Sequence, residues 1–250
     1  MNNAASGWSR ETVGGHPCDF YQPLHANEQG YMLLYLHGVH VTPLGEQPAF
    51  TEQFERYGLP VACPITGRSW WTDRISPDFD EHVSAESHVL KNVLPYLEQH
   101  YQTAPPRIGL LGTSMGGQGA LRLASRHPNT FPAVAAISPA IDFHQKHKEG
   151  DPVLQAMYPD PETARQDTAT LHVHPLNWPR HQFFCCDPQD DRWLEGADRL
   201  RMKLWSLGIP HECDLETSAG GHGFDYYNHM VARAVEFLHN ALERERLRLV

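Results

Sequence analysis

The chain has 250 residues, of which 40% are hydrophobic and 20% charged, and its formal net charge at pH 7 is −10. This composition excludes a disordered or fibrous protein, and the length suits one domain with a sizeable core better than two. No run of Lys or Arg is longer than two residues, so a phosphate-binding surface would have to be assembled locally from separate basic residues. We expect no nucleic-acid partner. We therefore expect a single folded domain spanning residues 1–250.

The start of the chain shows no basic leader followed by an apolar core, and no later stretch of 18 apolar residues follows. These features predict a cytoplasmic protein without a membrane span. The five cysteines are an odd number without a CxxC spacing, which favours buried free thiols over disulfides or structural zinc. The 17 histidines are scattered along the chain, so we expect no bound metal.

Short apolar runs alternate with segments of helical periodicity, which is typical of an α/β protein with a mostly parallel sheet. In chain order the predicted strands are 31–38, 59–65, 107–112, 133–138, 182–186 and 211–217. The last of these alternates between polar and apolar residues, as a strand near a sheet edge does. The predicted helices are 81–101, 115–126, 193–207 and 225–246.

Residues 139–181 differ from the rest because they are polar, rich in proline and without a clear period. A long connection of this kind in a compact domain is usually functional. We expect it to form a cap or lid over the carboxyl edge of the sheet. The final ERERLRLV is interpreted as a solvated helix end, and a contact between copies in a homo-oligomer is the alternative.

The segment 112–116 reads GTSMG, which matches the pattern G-x-S-x-G between a predicted strand and a predicted helix. In that setting the serine lies on a sharp turn with an unfavourable backbone conformation, and glycines two positions before and after it prevent collisions. The pattern alone arises often by chance, but its strand and helix context indicates that Ser114 is a nucleophile. The alternative is an ordinary glycine turn.

A serine hydroxyl needs a base, and in this arrangement the chain order is Ser, then Asp or Glu, then His after the last strand. His222 lies in SAGGHGFDYY, a glycine-rich loop after the last predicted strand, and is therefore the predicted base. His211 fits worse because it begins a strand. A surface or capping histidine in a glycine turn is the alternative interpretation of His222.

The acid should follow a late strand, where QFFCCDPQDDRWLEG offers three aspartates. Asp187 ends the strand too early, and Asp190 is expected to face solvent. Asp191 begins the loop that leads into the next helix and is the predicted acid, with Asp190 as second choice. Asp142, after the preceding strand, is an outlying alternative.

Backbone amides must stabilise the negative oxygen of a tetrahedral intermediate. The Met115 amide, directly after the nucleophile, is the first expected donor of this oxyanion hole, and the Val39 amide in LHGVH is the second. His37, which we place in the substrate pocket, could support or cap this loop. His40 is either a substrate contact or a surface histidine.

The segment TGRSWWTDR follows a strand whose loop should open at the same edge of the sheet. Trp70 and Trp71 are costly to expose, so they either form a wall of the substrate pocket, which we favour slightly, or fill the core. Arg68 and Arg74 could receive a substrate anion, although salt bridges with nearby aspartates account for them as well.

Three of these stretches resemble the esterase D group of α/β-hydrolases, which includes the S-formylglutathione hydrolases. GTSMGGQGAL is similar to the group's nucleophile region, QDDRWL to its acid loop and GGHGFDYY to its histidine loop, in order and spacing over residues 31–240. The resemblance implies an α/β-hydrolase fold, with helices on both faces of the sheet, and a carboxylic ester hydrolase without a cofactor. It places the acid at Asp191 and the base at His222, and it does not assign a glutathione thioester as substrate.

The leading hypothesis is therefore a serine esterase that acts on a small-molecule ester, which could be carbohydrate-linked or a thioester, through an acyl-enzyme. Acyl transfer to an alcohol or sugar by the same residues is the nearest alternative. A non-catalytic binding protein that keeps the fold is a second alternative. The third is a metal-dependent hydrolase built on His37 and His40, or on His172 and His174.

Overall fold

The computed structural model describes residues 6–248. Its strands are β1 (Gly7–Val13), β2 (His16–Gln22), β3 (Met32–Leu36), β4 (Val61–Pro64), β5 (Ile108–Thr113), β6 (Ala133–Ile137), β7 (His181–Cys185) and β8 (Glu212–Asp214). They form one sheet in the order β1-β2-β4-β3-β5-β6-β7-β8. The hairpin β1–β2 pairs antiparallel with β4, and β4, β3 and β5 to β8 run parallel.

Ten α-helices accompany the sheet in this part of the chain. They are α1 (Pro48–Arg56), α2 (Ala85–His88), α3 (Leu94–Tyr101), α4 (Met115–Arg126), α5 (His144–Lys148), α6 (Pro152–Met157), α7 (Pro161–Gln166), α8 (Ala169–His172), α9 (Leu194–Ser206) and α10 (Phe224–Arg248). A π-helical turn, Val89–Val93, joins α2 to α3. Within residues 6–248 we find no helix whose length and hydrophobicity would let it span a bilayer.

The helices bury their apolar sides against both faces of the sheet. On one face, α1 and α10 form a core with inward side chains of the strands, and on the other face α3, α4 and α9 form a second core. The strands between them are buried on both sides, which explains why their sequences are continuous apolar runs rather than alternating ones. The predicted α/β-hydrolase architecture is thus confirmed.

The hairpin β1–β2 and helix α1 were not predicted from the sequence. Most of β1 is exposed and its sequence GWSRETV is polar, so no apolar run marks it. The signal that could have found the hairpin is the pair Gly14 and Gly15, both in the left-handed region with φ of 57° and 89°, between two segments of seven residues. Adjacent glycines are typical of a two-residue hairpin turn.

The segment 139–181 folds into α5 to α8 and packs on α4 and α9. Its buried anchors are polar as well as apolar: the side-chain oxygen of Gln118 accepts the backbone N–H of Ala169 at 2.7 Å. Arg122, only 1% exposed, donates to Asp167 of this segment at 2.8 Å and pairs with Glu86. Polar anchoring of this kind explains why the segment shows no hydrophobic period.

Strand order determines where the functional loops meet. Strand β5 lies between β3 and β6, and all three run in the same direction. The residue after β5 therefore lies beside the loop after β3 and the loop after β6, at the carboxyl edge of the sheet. In open parallel sheets this edge is where ligands bind.

Candidate active site

Ser114 occupies the turn between β5 and α4 with φ of 54° and ψ of −119°. The glycines on either side of it are required by close backbone contacts. A Cβ atom at Gly112 would lie 2.1 Å from the carbonyl oxygen of Gly116, and a Cβ at Gly116 would lie 1.8 Å from the carbonyl oxygen of Leu36. No side chain fits at these distances, so the two glycines are the steric condition for exposing the Ser114 hydroxyl.

A chain of hydrogen bonds runs from Ser114 through His222 to Asp190. The Ser114 Oγ lies 2.9 Å from His222 Nε2, and His222 Nδ1 lies 2.6 Å from Asp190 Oδ2. A buried carboxylate only accepts hydrogen bonds, so we assign the imidazole proton to Nδ1, which leaves Nε2 free to accept the serine proton. The arrangement can therefore activate a nucleophilic hydroxyl.

The structure corrects the prediction that Asp191 is the acid, because Asp191 does not contact His222. Asp191 is exposed and lies in a separate surface groove with Asp198 and Arg201. Asp190 faces inward instead, and its Oδ1 accepts the backbone N–H of Trp193 at 3.2 Å. The spacing Asp-x-x-Trp before α9 is a turn-capping pattern, and it is the sequence signal that could have identified Asp190.

Two neighbours of Asp190 support this arrangement and were not predicted from the sequence. Cys186 Sγ donates to Asp190 Oδ2 at 3.6 Å, and burial raises the pKa of this thiol so that it keeps its proton. The fully buried Asp187 carboxylate accepts the backbone N–H groups of Ala219 at 2.7 Å and Gly221 at 2.9 Å. Asp187 therefore ties the acid loop to the loop that carries His222.

The remaining acid candidate, Asp142, and the histidine that fitted worse as a base, His211, lie away from this chain of hydrogen bonds. Asp142 pairs with Arg199 of α9. His211 Nδ1 lies 2.9 Å from the carbonyl oxygen of Ile209, at the start of the β8 segment. Neither side chain lines the pocket that contains Ser114.

The two predicted oxyanion-hole residues both border Ser114. Met115 is the first residue of α4, where helix geometry leaves the backbone N–H without an intrahelical partner. Val39 lines the same pocket as Ser114. The loop that carries Val39 runs close to the nucleophile, since a Cβ atom at Gly38 would lie 3.3 Å from Ser114 Cβ.

His37 does not line the pocket, which corrects its predicted place there. The ring is buried between two loops: Nδ1 lies 2.8 Å from the carbonyl oxygen of Gly38, and Nε2 accepts the backbone N–H of Thr66 at 3.1 Å. Burial lowers the pKa of His37 to about 4, so the ring is neutral at pH 7. His37 holds the loop after β3, while the exposed His40 lines the pocket.

Trp70 and Trp71 have different environments although they are adjacent. Trp70 lines the pocket and stacks on Phe143 with ring centroids 5.0 Å apart. Trp71 fills the core instead of lining the pocket, which corrects the prediction for this residue. Its Nε1 donates to the carbonyl oxygen of His37 at 3.1 Å, and its Cβ lies where any side chain at Gly119 would collide with it.

The two arginines near these tryptophans do not line the pocket either. Arg68 pairs with Asp78 at 2.5 Å, and the Arg74 guanidinium lies 5.5 Å from the centre of the Tyr158 ring. A local salt bridge thus accounts for Arg68, as the second interpretation had it.

Backbone strain is concentrated around Ser114. Among the described residues, six that are not glycine have φ in the left-handed region, and Gln102, at the end of α3, is the one distant from the site. The others are Val41, Trp70, Trp71, Ser114 and Ser138. Such conformations each cost about 1–3 kcal/mol and persist only where the surrounding structure holds them.

The pocket at Ser114 has a volume of about 350 Å³ and mostly apolar walls. The aromatic residues in its lining are Tyr35, Trp70, Trp193, Phe224 and Tyr227. The Tyr227 ring meets the His222 ring edge-on, with centroids 5.7 Å apart. Sequence reasoning missed these contacts except at Trp70, although the aromatics that follow His222 in GGHGFDYY were a usable signal. A pocket of this size suits a small-molecule ligand.

Three of the four histidines considered as metal ligands have other partners. Both ring nitrogens of His37 face backbone groups, and His172 Nε2 lies 2.9 Å from Asp167 Oδ1. His174 Nδ1 accepts the backbone N–H of Leu176 at 3.1 Å. Within residues 6–248 no three His, Cys, Asp or Glu side chains converge in a way that could hold a metal ion.

Comparison with known proteins gives one family and one fold. A sequence model of the family described as "Putative esterase" matches residues 16–236. An S-formylglutathione hydrolase from Agrobacterium tumefaciens is similar in structure, with a TM-score of 0.77 and 17% sequence identity, over 96% of this chain and 98% of that chain. At this identity the likeness shows a common fold.

Two further solved structures share the fold to a similar degree. A ferulic acid esterase has a TM-score of 0.73 and 16% identity, over 94% of this chain and 97% of its own. The fluorophosphonate-binding serine hydrolase F of Staphylococcus aureus has a TM-score of 0.71 and 15% identity, over 94% of this chain and 100% of its own.

Proposed function

The chain belongs to the esterase family matched over residues 16–236, and from that premise we propose that Ser114, His222 and Asp190 are the catalytic triad of a serine carboxylic ester hydrolase. The observation that carries the proposal is the unbroken chain of hydrogen bonds of 2.9 Å and 2.6 Å from the Ser114 hydroxyl to the buried Asp190 carboxylate. The hydroxyl lies in a pocket large enough for a small ester.

In the first half of the reaction, Ser114 Oγ attacks the carbonyl carbon of the ester while His222 Nε2 takes the hydroxyl proton. Asp190 stabilises the imidazolium that forms and keeps its own charge. Collapse of the tetrahedral intermediate breaks the bond to the alcohol oxygen, and His222 returns the proton to that oxygen. The acyl group is then held on Ser114 as an ester.

In the second half, a water molecule gives a proton to His222 and attacks the acyl-enzyme carbonyl. Collapse of the second tetrahedral intermediate releases the carboxylic acid and restores the Ser114 hydroxyl. We propose that the backbone N–H groups of Met115 and Val39 stabilise the negative oxygen in both intermediates. One such donor typically contributes about 3 kcal/mol to lowering the barrier.

We also propose that the segment 139–181 acts as a cap on one side of the pocket. Lys146 of α5 contributes to the pocket lining, and Phe143, directly before α5, supports Trp70 from behind. All five cysteines are free and four of them are buried, which supports the proposal that the enzyme works in the reducing cytoplasm.

The proposal is tested by replacing the nucleophile. We expect Ser114→Ala to lower kcat/KM for 4-nitrophenyl butyrate at least ~10⁴-fold, because the acyl-enzyme cannot form. A fluorophosphonate probe should label the native protein and leave Ser114→Ala unlabelled, as seen by intact-protein mass spectrometry.

The matched control is Ser206→Ala, which removes an exposed hydroxyl at the end of α9. It should keep native turnover and labelling, and circular dichroism should show that both variants are folded. Turnover in a folded Ser114→Ala protein would overturn the proposed function.

A further inference from the structure

The charge of the pocket at Ser114 is opposite to the charge of the whole chain. The chain has 30 Asp and Glu residues and a net charge of −10. The residues that line the pocket, all of them within the described range, include Lys146 and Arg192 but no Asp or Glu. The side chain of Asp190 is only 1% exposed behind His222. The Lys and Arg side chains that line the pocket are therefore not matched by any acidic side chain in its lining.

The Lys146 ammonium is the less compensated of the two cations. Lys146 is half-buried on α5, and its side chain makes no ion pair or hydrogen bond with any residue from 6 to 248. A partly buried ammonium needs an acceptor, which is either water or a ligand. Lys146, a residue of the pocket lining, thus has three donor hydrogens available to a ligand in a pocket with mostly apolar walls.

Arg192 is held in place by two neighbours. It pairs with Glu149, and its guanidinium lies 5.5 Å from the centre of the Trp193 ring, which also lines the pocket. The pairing with Glu149 neutralises part of its charge, while the aromatic contact fixes its position. Arg192 therefore adds an oriented donor on the side of the pocket that Trp193 forms.

We propose that the natural substrate is an ester that carries a carboxylate, which Lys146 and Arg192 bind while the ester carbonyl lies at Ser114. This inference rests on the proposed esterase function. A positive site among apolar walls concentrates the local field, so it selects an anion in spite of the negative charge of the whole chain. The carboxylate can belong to the acyl part, as in a half-ester of a dicarboxylic acid, or to the alcohol part, as in an ester of a hydroxy acid.

Two matched substrate pairs distinguish these sources. For the acyl part the pair is mono-4-nitrophenyl glutarate and 4-nitrophenyl pentanoate, which have acyl chains of equal length. For the alcohol part the pair is 4-acetoxybenzoate and its methyl ester. The measured quantity is the ratio of kcat/KM for the anionic member to kcat/KM for the neutral member of each pair.

In Lys146→Met we expect this ratio to fall about fivefold for one of the two pairs, namely the pair whose carboxylate is on the same part of the ester, acyl or alcohol, as in the natural substrate. A fivefold fall corresponds to the strength of a solvent-accessible ion pair. Reversal of the charge in Lys146→Glu should lower it by roughly 25-fold, since a repulsion replaces the attraction. Higher ionic strength should lower the ratio in the native enzyme and lower it less in Lys146→Met, where the Arg192 charge alone remains.

The matched control is Lys148→Met, which removes the same charge from the same short helix at an exposed position outside the pocket. This variant should keep the native ratio for both pairs. The inference is overturned if both ratios are the same in the native enzyme, Lys146→Met and Lys146→Glu. Failure of the esterase proposal looks different, because a folded Ser114→Ala would then still hydrolyse the neutral members.

Discussion

Two histidines flank Ser114 from different loops, and they have different environments. His37 follows β3 and is 3% exposed, with both ring nitrogens engaged by backbone groups. His222 lies between β8 and α10, and its side chain is 30% exposed, with Nδ1 on Asp190 and Nε2 on the Ser114 hydroxyl. The imidazole of His37 therefore holds its loop in place, whereas the imidazole of His222 is the proposed base.

The difference lies in what each ring nitrogen faces. A nitrogen that is satisfied by a backbone group in the core has no hydroxyl to deprotonate, and burial of His37 lowers its pKa to about 4, so it has little tendency to hold a proton. A base needs one nitrogen oriented by a carboxylate and the other directed at the reacting group. Only the loop of His222 supplies both.

The strongest test of this comparison is the replacement of His222. We expect His222→Gln to lower kcat for 4-nitrophenyl butyrate by ~10⁶-fold, which is the loss that removal of the histidine causes in serine proteases. The control is His211→Gln, since His211 was the other histidine considered as base and lies outside the pocket. Its kcat should stay within about twofold of the native value, and a large loss there would contradict the assignment of His222.

A second test separates two adjacent aspartates. Asn at position 190 keeps the shape of the side chain but removes its charge and favours the wrong tautomer of His222, so Asp190→Asn should lower kcat by about 10⁴-fold. Asp191→Asn should change kcat by less than about twofold, because Asp191 is exposed and does not contact His222. The reverse order of these two losses would restore the prediction made from the sequence.

The smallest expected effect concerns stability and His37. Since burial lowers its pKa to about 4 from the ordinary 6.5, the unfolded chain binds more protons between these values, and the free energy of unfolding decreases as pH falls through that range. From pH 7.5 to pH 5 the contribution of His37 to this decrease is about 2 kcal/mol. Urea unfolding of His37→Gln should show a decrease that is smaller by that amount.

The window above pH 5 avoids the buried carboxylates whose protonation weakens the fold in acid. Arginine and histidine partners outweigh burial and hold the pKa values of Glu86 and Asp167 at about 2, so these carboxylates lose their stabilising charge only below pH 4.5. His88, whose pKa burial also lowers to about 4, gives a slope that is common to both proteins. An identical decrease in the native protein and His37→Gln would show that His37 is not the buried neutral ring described.

The sequence predicted the parallel strands and the turn between strand and helix at Ser114 because these rest on local patterns. The apolar runs of β3 to β7 and the pattern GTSMG are visible within a few residues. The choice between Asp190 and Asp191 depends on the backbone geometry of the turn, which decides which of the two side chains faces inward. Two adjacent residues of the same type give no sequence signal for that geometry. Polar anchors such as Arg122 with Asp167 join positions 45 residues apart, which no local pattern reveals.

Trp70 and Trp71 show a further limit of sequence reasoning. Both are large and apolar, and hydrophobicity alone assigns them the same environment. Their φ angles of 54° and 56° turn the chain so that one side chain reaches the pocket and the other fills the core. Tryptophan is rare in the left-handed region of φ, so the residue type alone would not predict the backbone conformation that the surrounding structure imposes on Trp70 and Trp71.

The strained backbone around Ser114 has a consequence for attempts to engineer this enzyme. Five residues that are not glycine hold left-handed conformations there, so relaxing any of them would raise thermal stability while loosening the geometry that presents the hydroxyl. Stabilising substitutions should therefore be sought far from the carboxyl edge, for instance on the exposed strand β1. Substitutions on β1 leave the strained turn unchanged, so heat tolerance can be raised there without a loss of turnover.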